Sequence, residues 1–254
     1  MKIVRFVLGG ERRYGILEGE TLYALGGDVF ADFQPGRELA KLGQVRILPP
    51  CEPSKVIAVG LNYRSHAQEM GVPIPEEPII FLKPPSAVIG HLDEIIYPPS
   101  SQRVDYEAEL GVVIKRRGKN IPSEKARSYI LGYTCANDVT ARDLQGRDGQ
   151  WTRGKSFDTF CPLGPYVATD LEPSDLAISS RLNGQTRQAS STSDLIFGVE
   201  TLVSFISQVM TLEPGDMILT GTPGGIGPMQ PGDEVEVEIE GIGVLRNRLM
   251  AQPG

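Results

Sequence analysis

Twenty-nine glycines and twenty prolines divide this 254-residue chain into short apolar runs, and only one stretch carries strong helical periodicity. That combination predicts a β-rich α+β protein, built as a barrel or folded-over mixed sheet, with a small β domain at its N-terminus. Residues 2–8, 12–18 and 21–25 read as three strands separated by Gly9-Gly10 and by Glu18-Gly19-Glu20. A polar stretch follows and ends in Pro49-Pro50-Cys51-Glu52-Pro53, a proline cluster of linker character. It sets the expected boundary between residues 1–52 and a larger domain of residues 53–254.

The larger part opens on a strand, Lys55 to Gly60, then a short helix over 61–70. Prolines interrupt 71–78, which therefore reads as a mobile loop. Strands are expected at 79–83, 104–115 and 130–138, and a helix at 139–148. Asn183-Gly184 is a strong hairpin signal. Leu202, Val203, Phe205, Ile206, Val209 and Met210 recur at helical spacing and predict an amphipathic helix over 198–211. Strands at 216–220, 233–239 and 243–250 close the chain.

A net charge of −7 disfavours nucleic acid or an anionic membrane as a partner. An anionic substrate would need local attraction by a metal or by cationic side chains. Cys51, Cys135 and Cys161 show no paired spacing, which suits a reducing compartment. The first residues read as a strand rather than a signal peptide, and no apolar run is long enough to span a bilayer. A cytoplasmic protein is expected.

The most informative stretch is Val104-Asp105-Tyr106-Glu107-Ala108-Glu109-Leu110. On a strand, Glu107 and Glu109 point the same way. Two carboxylates so placed repel unless water screens them or a cation lies between them. Glu-x-Glu on a strand more often faces water, and Glu234-Val235-Glu236-Val237-Glu238 reads as such a face. Residues 104–114 run instead into continuous apolar sequence, so their face is expected to be enclosed. Asp138, at the end of the apolar run from Ile130, supplies a third acid. Three hard oxygen donors select Mg²⁺, Mn²⁺ or Ca²⁺ over zinc. His66 and His91 are the only histidines, and neither has a partner at zinc spacing.

Four further features surround these acids. If a helix begins near Asp138, Arg142 and Gln145 fall on its face at i+4 and i+7, suited to a substrate carboxylate. A surface helix with an Arg–Asp pair is the plainer reading. His66 and Glu69, three apart on a short helix, can form a general-base dyad or a mere surface pair. Lys155 in Arg153-Gly154-Lys155-Ser156-Phe157-Asp158, expected between a glycine and a strand, could stabilise an enolate or oxyanion. The glycine loop Thr220 to Gly227, with its Thr222 hydroxyl, could cradle an anion. It lacks the Gly-Lys-Ser/Thr ending of a nucleotide-binding loop.

Together these segments resemble the fumarylacetoacetate hydrolase family. The carriers are Gly-Leu-Asn-Tyr-Arg-Ser-His-Ala-Gln-Glu-Met (60–70), Phe-Leu-Lys-Pro (81–84), Val-Asp-Tyr-Glu-Ala-Glu-Leu (104–110), Asn-Asp-Val-Thr-Ala-Arg-Asp-Leu-Gln (137–145), Gly-Lys-Ser-Phe-Asp (154–158) and Thr-Gly-Thr-Pro-Gly-Gly-Ile-Gly (220–227). The resemblance implies a mixed β-sandwich roll, usually dimeric, over roughly residues 54–250. It implies Mg²⁺ or a similar ion on Glu107, Glu109 and Asp138. It implies a water-activating dyad of His66 and Glu69 in a lid over 66–78, oxyanion stabilisation by Lys155, and a substrate carboxylate held by Arg142, Gln145 and Thr222.

The expected substrate is a small 2-oxo or 2-hydroxy-dienoic acid, processed through a metal-stabilised enolate. The short form of the chain favours 2-hydroxyhepta-2,4-diene-1,7-dioate isomerase or decarboxylase chemistry in aromatic catabolism. Acylpyruvate (fumarylpyruvate) hydrolysis and oxaloacetate decarboxylation or tautomerisation share the same enolate. A reading of another class is a non-catalytic, metal-stabilised binding protein.

Overall fold

The computed structural model describes residues 1–252. These residues form three sheets. The largest runs, neighbour by neighbour, through Phe33–Lys41, Thr21–Gly27, Glu11–Glu18, Lys2–Leu8, Cys161–Ala168, Ile130–Asn137, Ala108–Ile114, Met217–Leu219, Val56–Gly60 and Ile79–Lys83. It is mixed: Met217–Leu219 pairs in parallel with Val56–Gly60, while the central pairs are antiparallel. A five-stranded sheet runs Gln185–Ser191, Ala177–Leu182, Glu234–Ile239, Gly243–Ala251 and Glu94–Tyr97. A three-stranded sheet holds Thr140–Ala141, Val104–Tyr106 and Gly227–Met229.

Alternation along the central strands builds two cores. Ala108, Leu110, Val112 and Ile114 face one way, onto Ile178, Val237, Ile239 and Leu245 of the five-stranded sheet and onto Leu202, Val203 and Ile206. The last three lie on the helix Val199–Val209; of the stripe its spacing predicts, Leu202, Val203 and Ile206 are buried and Phe205 and Met210 partly so, while Val209 is exposed at the helix end. Val113 faces the other way, with Ile3, Val56, Ala58, Leu163, Met217 and Leu219. A fully buried leucine such as Leu110 contributes about 2 kcal/mol by removing its side chain from water. The Asn183-Gly184 turn is tight, with both residues at positive φ (52° and 76°) joining Leu182 to Gln185.

Several expectations need correction. Residues 33–41, read as a polar connection, form an edge strand, because they pair with Thr21–Gly27 across two register shifts rather than through any apolar pattern. The stretch 104–115 is not one strand. It breaks at Glu107 into Val104–Tyr106 and Ala108–Ile114, which belong to different sheets. The helix expected over 139–148 begins only at Arg142, after the short strand Thr140–Ala141, so Asp138 is not its N-cap. Lys155 ends a one-turn helix, Thr152–Lys155, rather than preceding a strand. The N-terminal strands join the large sheet through Lys2↔Ala168 and Ile3↔Val167, so hydrogen bonding continues across the proline-rich 49–53 segment's two sides. No helix among the described residues is long and apolar enough to cross a membrane.

Candidate metal centre

The break at Glu107 creates the site. Two antiparallel segments, 104–114 and 130–141, pass together from the three-stranded sheet to the large one. Asp105 pairs with Thr140 on one side of the break, and Ala108 with Asn137 on the other. At the corner the Glu107 N–H donates to Asn137 Oδ1 (3.0 Å), and the Asp138 N–H donates to the Glu107 carbonyl (2.9 Å). These bonds hold Glu107 and Asp138 side by side. Glu109, two residues on, accepts from the Gly221 N–H at 2.6 Å. Gly221 can do this because its φ is +95°, and a Cβ there would lie 2.8 Å from Asn62 Cβ.

One carboxylate oxygen from each of Glu107, Glu109 and Asp138 falls within 4.8 Å of the others, and all three residues are buried. The expected acids therefore do converge, although a bent chain rather than a straight strand face brings them together.

Two lysines enter this cluster. Lys155 Nζ bridges Glu107 Oε2 (2.8 Å) and Asp138 Oδ2 (2.6 Å). Lys83 Nζ reaches Asp138 Oδ1 (2.5 Å) and the Val139 carbonyl (3.2 Å). Burial alone would push the Glu107 carboxyl up, but Lys155 and Arg142 outweigh it and hold it down at about 2. Burial would also strip the proton from Lys155, yet Asp138 and Glu107 keep its affinity for the proton above the ordinary lysine value. Glu109 is the exception. Burial and the charges of Asp138 and Glu107 raise it well above the carboxylate range, against the weaker opposition of Lys155 and the Gly221 N–H.

A buried acid whose charge the surrounding side chains leave uncompensated is what a cation site needs. The donor set, three hard oxygens, suits Mg²⁺, Mn²⁺ or Ca²⁺. The residues present fit such an ion.

Arg142 and Gln145 meet, but not as an extension of Asp138's helix. Arg142 Nε donates to Asp105 Oδ2 (2.9 Å), its Nη1 to Gln145 Oε1 (2.7 Å), and its Nη2 to Glu107 Oε1. Three of the guanidinium's five N–H groups are thus used, and two remain. Gln145 accepts from Arg142, which leaves its NH₂ without a partner among the described residues.

His66 and Glu69 lie on the helix Arg64–Met70, with His66 Nδ1 3.2 Å from Glu69 Oε2. Glu69 also accepts the Gly225 N–H (3.1 Å), and Ser65 is capped by Asp194 (N–H 3.0 Å, hydroxyl 2.5 Å). This pins the helix at both ends, and the irregular stretch expected at 71–78 follows it. Thr222 is 5% exposed and lies one residue past the amide that bonds Glu109.

Three features of the site have little or no signature in the sequence. Lys83 stands there only within Phe-Leu-Lys-Pro, where a lysine ending an apolar strand is the one available signal. Asp105 is fully buried and bonded to both Arg103 (2.9 Å) and Arg142. The third is an aromatic pair beside Lys155. Phe81 and Trp151 pack edge to face at 5.2 Å, and Lys155 Nζ lies 5.2 Å from the Phe81 ring centroid. Trp151 presses on Gly60 so closely that a Cβ there would meet the indole at 2.5 Å.

With this geometry described, comparison with known proteins defines the class. The model for the C-terminal domain of fumarylacetoacetate hydrolase matches residues 55–250, and an Rv2993c-like N-terminal model matches residues 1–50. This chain belongs to the fumarylacetoacetate hydrolase family. It is 49% identical over 216 residues to the mitochondrial oxaloacetate tautomerase FAHD2A of Bos taurus, covering 80% of this chain and 69% of that protein. It is similar in structure to a 2-hydroxyhepta-2,4-diene-1,7-dioate isomerase from Mycobacterium marinum, with TM-score 0.93, 41% identity and all of both chains covered. It is also similar to a fumarylpyruvate hydrolase from Pseudomonas aeruginosa solved with Mn²⁺ and pyruvate, with TM-score 0.75 and 36% identity, covering 82% of this chain and 92% of that one.

Proposed function

We propose that this chain is a divalent-metal enzyme acting on 2-oxo or 2-hydroxy-dienoic acids through an enolate. Isomerisation or decarboxylation of a 2-hydroxyhepta-2,4-diene-1,7-dioate-type substrate is the leading reaction. The observation that carries the proposal is the buried triad of Glu107, Glu109 and Asp138 with Lys155 wedged between two of its members.

The triad would hold Mg²⁺, or Mn²⁺ or Ca²⁺ on the same donors, which would supply Lewis acidity toward the carboxylate and keto oxygens of a 2-oxo acid. Lys155 keeps its proton despite burial, and two of its three N–H groups are spent on carboxylates. The third is available to a developing enolate oxygen, where a fixed cation lowers the barrier most. Arg142, which bonds Gln145, offers its two unspent N–H groups to a substrate carboxylate, and Gln145 and Thr222 would supply further donors to it. His66 faces Glu69 through Nδ1, so Nε2 is the nitrogen that moves the proton between substrate carbons.

The tautomerase and isomerase relatives support proton relocation. Acylpyruvate hydrolysis is the second reading, supported by the paired His66 and Glu69, because the same Nε2 can take a proton from water. Oxaloacetate decarboxylation or tautomerisation draws on the same enolate. The proposal includes a homodimer in the cytoplasm, supported by the family resemblance and by three free, buried thiols at Cys51, Cys135 and Cys161.

The test is a turnover screen with and without Mg²⁺ on oxaloacetate, acetylpyruvate, fumarylpyruvate and a 2-hydroxydienedioate. Wild type and His66→Ala are run side by side. Chelator-sensitive turnover supports the enzyme, and the product names the reaction. If His66→Ala stops hydrolysis but spares decarboxylation, His66 serves water. Metal-raised melting with no turnover on any substrate would favour a binding protein.

A further inference from the structure

Gln188 lies on the outer strand of the Asn183-Gly184 hairpin, in the polar stretch Gln185–Ser191, where nothing in the sequence marks it. It is 1% exposed, and all four of its hydrogen-bonding positions are filled. Its Oε1 accepts from the Ala108 N–H (3.0 Å) and from the Ser180 hydroxyl (2.9 Å). Its Nε2 donates to Thr222 Oγ1 (2.8 Å) and to the Pro223 carbonyl (2.9 Å).

The orientation of this amide is dictated by two partners that cannot change role. The Ala108 N–H can only donate, and the Pro223 carbonyl can only accept. Flipping the amide would set N–H against N–H and oxygen against oxygen. Nε2 therefore always points its second hydrogen at Thr222. The Thr222 oxygen receives that hydrogen, and its own proton must go elsewhere. No acceptor for it occurs among the described residues.

Along the chain, Thr222 falls between Gly221, whose N–H bonds Glu109 of the carboxylate cluster, and Gly225, whose N–H bonds Glu69 of the His66 pair.

We propose that Gln188 is a positioning residue that commits the Thr222 hydroxyl to donate toward the substrate, so that this subsite selects an anionic or carbonyl oxygen and rejects a donor. The inference rests on the reading of Thr222 as a substrate contact. It adds the direction of the hydrogen bond and the residue that imposes it. Gln188 also ties the Thr222 loop to Ala108, the residue between two members of the triad. The subsite and the carboxylates are thereby held in one register.

The discriminating variant is Gln188→Glu. A glutamate at this position can still accept from Ala108 and Ser180. It forfeits the bond to the Pro223 carbonyl, at a cost in stability, and its carboxylate beside Thr222 accepts the hydroxyl proton and turns it away from the substrate. Thr222→Val removes the hydroxyl with little change of shape and guards against failure of the first variant to fold. Pyruvate is the binding probe, measured by calorimetry in Mg²⁺, and turnover is read on whichever substrate the screen identifies.

The expected result is a 10- to 100-fold loss of pyruvate affinity in each single variant. KM should rise by a similar factor, kcat should change less than about threefold, and the Mg²⁺ affinity should be unaltered. In the Thr222→Val background, Gln188→Glu should add nothing further, because its effect passes through the absent hydroxyl. Additive losses, or a fall in Mg²⁺ affinity and melting temperature without a change in pyruvate affinity, would overturn the proposal and make Gln188 a structural residue. If no substrate turns over yet pyruvate binding follows the expected pattern, the enzymatic reading fails and this inference stands. If turnover is robust and pyruvate affinity ignores both variants, the inference fails alone.

Discussion

Two stretches of this chain carry glutamates at alternate positions, and the molecule treats them in opposite ways. Glu234, Glu236 and Glu238 lie on a regular strand, Glu234–Ile239. Arginines from the neighbouring strands answer them: Arg181 bonds Glu236 (2.7 Å) and Glu238 (2.5 Å), and Arg246 bonds Glu236 (2.6 Å). The outer two stay exposed, while Glu236 is covered by its arginines to 8% exposure, deeper than a water-facing ladder implies. Burial would raise the Glu236 carboxyl, but those arginines hold it below the usual range.

Glu107 and Glu109 are enclosed at a break between two sheets. Lys155 and Arg142 compensate Glu107, while Glu109 is left with one N–H bond and a raised proton affinity. The lesson is that spacing alone does not separate a charge ladder from a candidate metal site. The balance of partners at each acid does. A ladder answers every charge, whereas this cluster leaves one acid unanswered.

The largest effect expected from breaking this contrast is at the cluster. Glu107→Ala should lower turnover by about 100- to 1,000-fold, the scale of losing one preorganised electrostatic group, and should abolish the rise in melting temperature on adding Mg²⁺. Steady-state kinetics and paired melts check both parts. Unchanged metal stabilisation would remove Glu107 from the ligand set.

Next comes Lys155→Met. Removing a buried cation from two carboxylates should destabilise the metal-free protein by about 3 kcal/mol or more. It should also tighten Mg²⁺ binding at least about tenfold, because less positive charge opposes the ion. Turnover should nevertheless fall. Calorimetry that shows weaker metal binding would contradict the charge balance described above.

Glu109→Gln sharpens the comparison with a change of sign. A carboxyl whose folded proton affinity is raised lowers stability once pH climbs through the unfolded value, and the full penalty applies above the folded value. A neutral isostere should therefore raise the metal-free melting temperature at neutral pH, by roughly 2–4 °C for each 1 kcal/mol relieved. The same variant should lose Mg²⁺ stabilisation. A lower metal-free melting temperature would count against an unanswered charge at Glu109.

The smallest effect belongs to the ladder. Glu236→Gln should cost about 1 kcal/mol at neutral pH and leave turnover unchanged. Because its folded carboxyl is depressed, the contribution of Glu236 is complete above the unfolded glutamate value. It fades as pH falls through the lower folded value, so wild type and variant should converge in acid. Denaturant melts from pH 7 to pH 3 test this. A gap that persists at pH 3 would assign the loss to packing.

Much of this molecule was written locally. The Asn183-Gly184 hairpin, the stripe of Leu202, Val203 and Ile206, and the interruption of regular structure at 71–78 follow from the chemistry of neighbouring residues. The three acids, the His66–Glu69 pair, Lys155 and Thr222 were legible as candidates because their side-chain chemistry is distinctive and their segments occur in a recognisable order. By itself the sequence determined the β-rich class, the family and the roster of acids.

Only the tertiary structure decided how those residues act on one another. The sheet change at Glu107 depends on pairing with Thr140–Ala141 and Gly227–Met229, which no window around Glu107 contains. Lys83 meets Asp138 across 55 residues, and Gln188 meets Ala108 across 80. Such contacts have no periodic signature, because they are set by which strands become neighbours. Local patterns select element types through backbone geometry and burial, while charge compensation and hydrogen-bond direction depend on partners that only the folded chain brings within about 3 Å.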